Sequence, residues 1–138
     1  MIGVGSDLRR DDAVGRRVAE AVDAMELDDV SVVVTTQLVP ELVEPISAAD
    51  RVVFVDASVS VDRVTAARVE PVRGEGHSHP AAPGALLGLA ARLGLAVPPT
   101  TLVEVPAHDL ALGDGLSAET AAFVDEAVAA VLAVVANA

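Results

Sequence analysis

The chain has 138 residues, 52% of them apolar, with two Phe and neither Trp nor Tyr, and its 9 Lys and Arg against 21 Asp and Glu leave a net charge of −12. One domain over residues 1–138 with a full core is expected, and a disordered chain is excluded. The acidic balance and the missing rings argue against nucleic acid, and the charge argues against an anionic membrane surface.

No Cys is present, which removes disulfides, thiolate nucleophiles and Cys-ligated metal centres and fits a cytoplasmic protein. Residues 3–12 are rich in Gly and charge and lack the apolar run of a signal peptide. The apolar run at 127–136 is too short to span a bilayer. A monomer is expected.

In chain order, residues 2–5 read as a very short strand. A helix follows over 12–25, with Val14, Val18, Ala21 or Val22, and Met25 on one face. Asp11 and Asp12 suit its N-terminus. The β-branched run 30–35 is a strand, and 40–48 is a short helix opened by Pro40. Val52-Val53-Phe54-Val55 is apolar on both faces of a pleat, the pattern of a central strand covered on both sides. Residues 64–72 read as a weaker edge strand containing Pro71. A helix over 81–93 places Leu86, Leu89, Ala90 and Leu93 inward, with Gly94 as its cap. Residues 101–105 are a further strand. The last helix runs over 117–136 from Ser117, with Val124, Val128, Val131, Leu132 and Val135 inward. The alternation predicts an α/β three-layer sandwich around a mostly parallel sheet of about five strands. Ligands of such sheets gather at the carboxyl ends of the strands.

Several residues bear on chemistry there. Gly3-Val4-Gly5 opens like a dinucleotide loop, but Leu8 stands at the third glycine, and Asp7, Asp11 and Asp12 would repel a pyrophosphate. The Asp11-Asp12 pair is either a helix cap or the source of a metal-binding or catalytic carboxylate. Asp56 follows the buried run directly, so its carboxylate is partly desolvated and needs a partner. His77 and His79 lie two apart in a Gly-containing loop, where both could reach one ion. His108-Asp109 reads as an ordinary loop pair. Ser78 lacks the Gly-x-Ser-x-Gly turn of a nucleophilic serine. Two carboxylates and an imidazole make a borderline-metal site suited to zinc or nickel. Only a short connection separates Asp56 from Val64, so the next strand can run antiparallel. The loop over 73–79 would then have to return to the rim.

The run Gly3-Val4-Gly5-Ser6-Asp7-Leu8-Arg9-Arg10-Asp11-Asp12-Ala13-Val14-Gly15 follows the pattern Gly-(Ile/Val)-Gly-Asn-x-Leu-x-x-Asp-(Asp/Glu)-Gly-x-Gly. Gln37 with Pro40-Glu41-Leu42, the strand ending in Asp56-Ala57, His79 ahead of Leu86-Leu87 and Leu93-Gly94, and the turn from Gly113 to Ser117 follow in order. This set resembles the hydrogenase maturation endopeptidases over nearly the whole chain. The resemblance implies an α/β sandwich on a five-stranded sheet. It also implies removal of a C-terminal peptide from the nickel-loaded large-subunit precursor of a nickel–iron hydrogenase. Asp12, Asp56 and His79 would then be the catalytic, metal-binding residues, on nickel supplied by the substrate, with zinc or cadmium able to substitute. Ser6 stands for the usual Asn and Ala13 for the usual Gly, and Ala13 is expected to crowd a substrate passing Asp12. These departures leave a non-catalytic nickel- or precursor-binding homologue as the alternative, and Gly3 with Gly5 leaves a nucleotide-binding domain as a weaker third.

Overall fold

The computed structural model describes residues 1–73 and 82–137. Five strands form one sheet: β1 (Ile2–Val4), β2 (Val33–Thr35), β3 (Val52–Ser58), β4 (Thr65–Val69) and β5 (Thr100–Pro106), in the order β2-β1-β3-β5-β4. All neighbours are parallel except β4, which runs antiparallel on the outer edge of β5. The short link after Asp56 dictates this, since a parallel return needs a crossover of a dozen residues or more.

The alternation along β3 sorts the two cores. Val52 and Phe54 pack with Leu42, Val43, Ile46, Leu86, Leu87 and Ala90, beneath α2 (Val43–Ala48) and α3 (Pro83–Arg92). Val53 and Val55 pack with Val14, Val18, Val22, Val103, Val105, Ala127, Val128 and Val131, beneath α1 (Val14–Asp23) and α5 (Val124–Ala136). The sheet is therefore sandwiched between two helical layers, as the period-two apolar pattern of its central strand requires.

Three boundaries differ from the sequence expectation. The first helix opens as a 3-10 turn over Arg10–Ala13 and ends at Asp23, because Glu26 turns left-handed at φ +49°; Met25 is consequently exposed. The long C-terminal helix is two: α4 (Ala118–Ala121), capped by Ser117 accepting from the Thr120 N–H at 3.2 Å, and α5 beyond Phe123. Leu93, expected inside, is 60% exposed at the end of α3, where Gly94 takes φ +72°. No described helix is long and apolar enough to cross a membrane.

One glycine seats α1 on the sheet. A Cβ on Gly15 would lie 2.3 Å from the Val55 carbonyl oxygen and 2.5 Å from that of Val4, both backbone atoms. We expect Gly15→Ala to lower stability by about 1–3 kcal/mol in denaturant melts, although alanine is the better helix former by roughly 1 kcal/mol. An unchanged midpoint would show that the helix can move off the strands.

Candidate functional site

The carboxyl ends of β1 and β3 carry the two acids singled out in the sequence. Asp12 lies in the 3-10 turn that leaves β1, and its Oδ2 accepts the Ser6 N–H at 2.9 Å. Asp56 is the fifth residue of β3, half-buried, with Oδ1 accepting the Ala57 N–H at 2.8 Å. Burial raises the Asp56 carboxyl to about 6; the Ala57 N–H opposes that shift, and the negative charges of Asp12 and Glu104 add to it. The structure therefore brings Asp12 and Asp56 within electrostatic reach across the first two central strands. No ion pair among the described residues involves Asp12, Asp56 or Glu104. His79 and its neighbours His77 and Ser78 lie outside the described residues.

Asp11, left open between cap and ligand, has a different task. It is fully buried. Its Oδ2 accepts the His108 N–H at 2.8 Å, the Asp109 N–H at 2.7 Å and the Ser117 hydroxyl at 2.8 Å, and its Oδ1 accepts the Ser117 N–H at 2.6 Å. The Thr120 hydroxyl, 2.8 Å from Oδ2, is the fifth contact. Burial alone would raise this carboxyl, but the hydrogen bonds from Ser117, His108 and Asp109 hold it far below the ordinary range. Successive positions of one tight turn thus send Asp11 into the protein and leave Asp12 half-buried at the rim. Arg10, just before them, takes the left-handed φ of +43°, and its N–H donates to the Gly113 carbonyl at 3.3 Å.

His108 lies at the exposed edge of this hub. Its Nδ1 lies 2.9 Å from the Thr120 hydroxyl and its ring stacks on Phe123 at 6.5 Å. Phe123 packs with the core under α1 and α5, whereas Asp56 shares its face of β3 with Phe54, under α2 and α3.

The dinucleotide reading of Gly3-Val4-Gly5 does not survive this geometry. A Cβ on Gly5 would fall 1.9 Å from the Asp12 carbonyl oxygen, so this glycine serves close packing of the loop on its own turn. The Ser6 N–H, which a phosphate would need, already binds the Asp12 carboxylate. Ser6 fixes Asp12 through its backbone, so the Ser-for-Asn departure leaves that contact intact. Ala13 is 4% exposed, so its methyl lies within the fold and does not crowd the rim.

Glu104 was not anticipated. Strand pairing sets it directly beside Asp56 on β5, and alternation from Leu102 puts it on the same face. A charged residue interrupting Leu102, Val103 and Val105 was the available signal. Among the described residues no three His, Asp or Glu side chains are grouped to hold one ion. Asp12 and Asp56 are both half-buried, and two carboxylates at one rim are chemically the oxygen share of a borderline-metal donor set.

No protein-family model and no curated protein sequence matches the chain. Solved structures do. The hydrogenase maturating endopeptidase HybD from E. coli superposes with a TM-score of 0.74 at 24% identity, over 96% of this chain and 88% of that one. A hydrogenase 2 maturation peptidase from a Thaumarchaeota archaeon gives 0.70 at 25% identity, over 97% and 95%. The [NiFe] hydrogenase maturation protease HycI from Thermococcus kodakarensis gives 0.72 at 22% identity, over 99% and 90%.

Proposed function

We propose that this chain, which has the fold of the hydrogenase maturation endopeptidases, is a peptide hydrolase of that kind. Its substrate is the large-subunit precursor of a nickel–iron hydrogenase, from which it removes a C-terminal peptide once nickel is in place. The observation that carries this reading is the placement of Asp12 and Asp56 at the same strand-end rim, half-buried, each feeling the other's charge, and neither in a described ion pair.

In this reading nickel arrives with the substrate. Asp12 and Asp56 supply two carboxylate oxygens to it and His79 a ring nitrogen. Each carboxylate is held by a backbone N–H, from Ser6 and from Ala57, so the oxygens are oriented before the substrate docks. A divalent ion held there would relieve the repulsion between the two acids and would supply Lewis-acid polarisation of a neighbouring peptide carbonyl. Precursor without nickel lacks the charge that would relieve this repulsion and is passed over. Cadmium or zinc, with similar ligand preferences, substitutes in binding.

The test is incubation of the purified chain with nickel-loaded precursor, followed by mass spectrometry. The wild type is expected to shorten the precursor, and Asp56→Ala to abolish shortening while keeping a cooperative thermal transition. Normal cleavage by a folded Asp56→Ala protein would sink the site. Saturable binding of precursor without loss of mass by the wild type would favour the non-catalytic homologue.

A further inference from the structure

Resting on that reading, we propose that Glu104 tunes the site's affinity for its cation: its carboxylate, registered beside Asp56 on the adjoining central strand, adds a third negative charge behind the two that meet the ion. Three observations support this. The parallel register pairs Asp56 with Glu104, and alternation turns both toward the layer of α2 and α3. Like charges directly opposite on neighbouring strands are unfavourable. Glu104 is half-buried on a strand flanked on both sides, by β3 and by β4, so water relieves this repulsion only in part. In a chain whose Arg residues pair elsewhere with Asp7, Glu20, Glu70 and Asp109, no described ion pair reaches Asp12, Asp56 or Glu104. Glu104 is not grouped with two other ligands around a single ion position, so its effect on the ion is through space.

The charge has consequences of opposite sign. Without an ion, Glu104 disfavours the folded state by repelling Asp56. With a divalent ion at Asp12 and Asp56, it attracts that ion. A purely structural glutamate would not do both.

The experiment titrates Cd²⁺ into the full chain by calorimetry, for the wild type, Asp56→Asn, Glu104→Gln and Glu104→Asp, alongside melts without metal. We expect Asp56→Asn to remove Cd²⁺ binding. Glu104→Gln should weaken it roughly tenfold, as one charge several ångströms from a dication implies at intermediate dielectric. The same Glu104→Gln variant should melt about 2–4 °C higher without metal, and Glu104→Asp should return affinity toward the wild type. Loss of binding in Asp56→Asn with unchanged affinity in Glu104→Gln overturns the role of Glu104 and leaves the site standing. Unchanged binding in Asp56→Asn, or no Cd²⁺ binding by the wild type, overturns the site itself. A lower melting temperature for Glu104→Gln makes Glu104 structural and also overturns the proposal.

Discussion

Asp11→Ala is expected to destabilise the protein by about 3–5 kcal/mol at pH 7, the range for removing one partner of a buried, hydrogen-bonded charge. Three backbone N–H groups, of His108, Asp109 and Ser117, lose their acceptor together, as does the Ser117 hydroxyl, while the Thr120 hydroxyl keeps the Pro106 carbonyl at 2.9 Å. The pH dependence has a definite sign. The folded carboxyl titrates below the unfolded one, so its contribution is full above the ordinary carboxylate range and fades as pH falls through the lower folded value. The gap between wild type and variant, from urea titration, should therefore be wide at pH 7 and narrower at pH 3. Asp11→Asn keeps the shape and one acceptor while turning an amide toward donors, so it serves where alanine leaves no folded protein. A loss under 1 kcal/mol in both variants would mean that water replaces these bonds and that the hub is not a structural unit.

Asp56→Asn should act in the other direction on stability while removing cleavage. The folded Asp56 carboxyl is raised to about 6, above its unfolded value. Ionised Asp56 therefore costs the metal-free protein stability at pH 7.5, and that cost disappears as pH falls below the unfolded value. Allowing for partial exposure, the variant should be more stable than wild type by about 1–2 kcal/mol at pH 7.5 and by almost nothing at pH 3.5. Asparagine can still accept the Ala57 N–H, so that contact is not the variable. Precursor cleavage should fall at least a hundredfold, about what loss of a charged group acting in the transition state costs. A variant that is less stable at pH 7.5 would mean that Asp56 has a favourable partner and is not a frustrated carboxylate awaiting an ion. The pair of variants separates two neighbouring roles: Asp11 holds the rim together, and Asp56 is held in it at a cost.

The sequence made the layers legible because apolar period and strand content are local signals. The double-sided apolar run at Val52–Val55 announced the centre of the sheet, and the short link after Asp56 announced the antiparallel β4. The placement of Asp12 and Asp56 at the carboxyl ends of β1 and β3 was legible from the short connections and the buried run before Asp56. What separates Asp11 from Asp12 was not, because their difference lies in partners about a hundred positions away. Glu104 was hidden for a similar reason, since its meaning depends on strand register. The break at Phe123 and the early end of α1 are boundary effects, set by a left-handed turn at Glu26 and by the docking of Thr120 onto Asp11. His79 lies outside the described residues, and its place among the ligands rests on the resemblance.

The span of the Asp11 contacts also orders events during synthesis. Its partners lie 97 to 109 positions downstream, and closures of that length come late and slowly. On the ribosome, β1 and its following turn emerge early, but the Asp11 contacts that anchor this turn are incomplete until residue 120 has left the exit tunnel. A nascent chain therefore carries Asp12 and Asp56 long before the Asp11 contacts that fix the turn beside them can close.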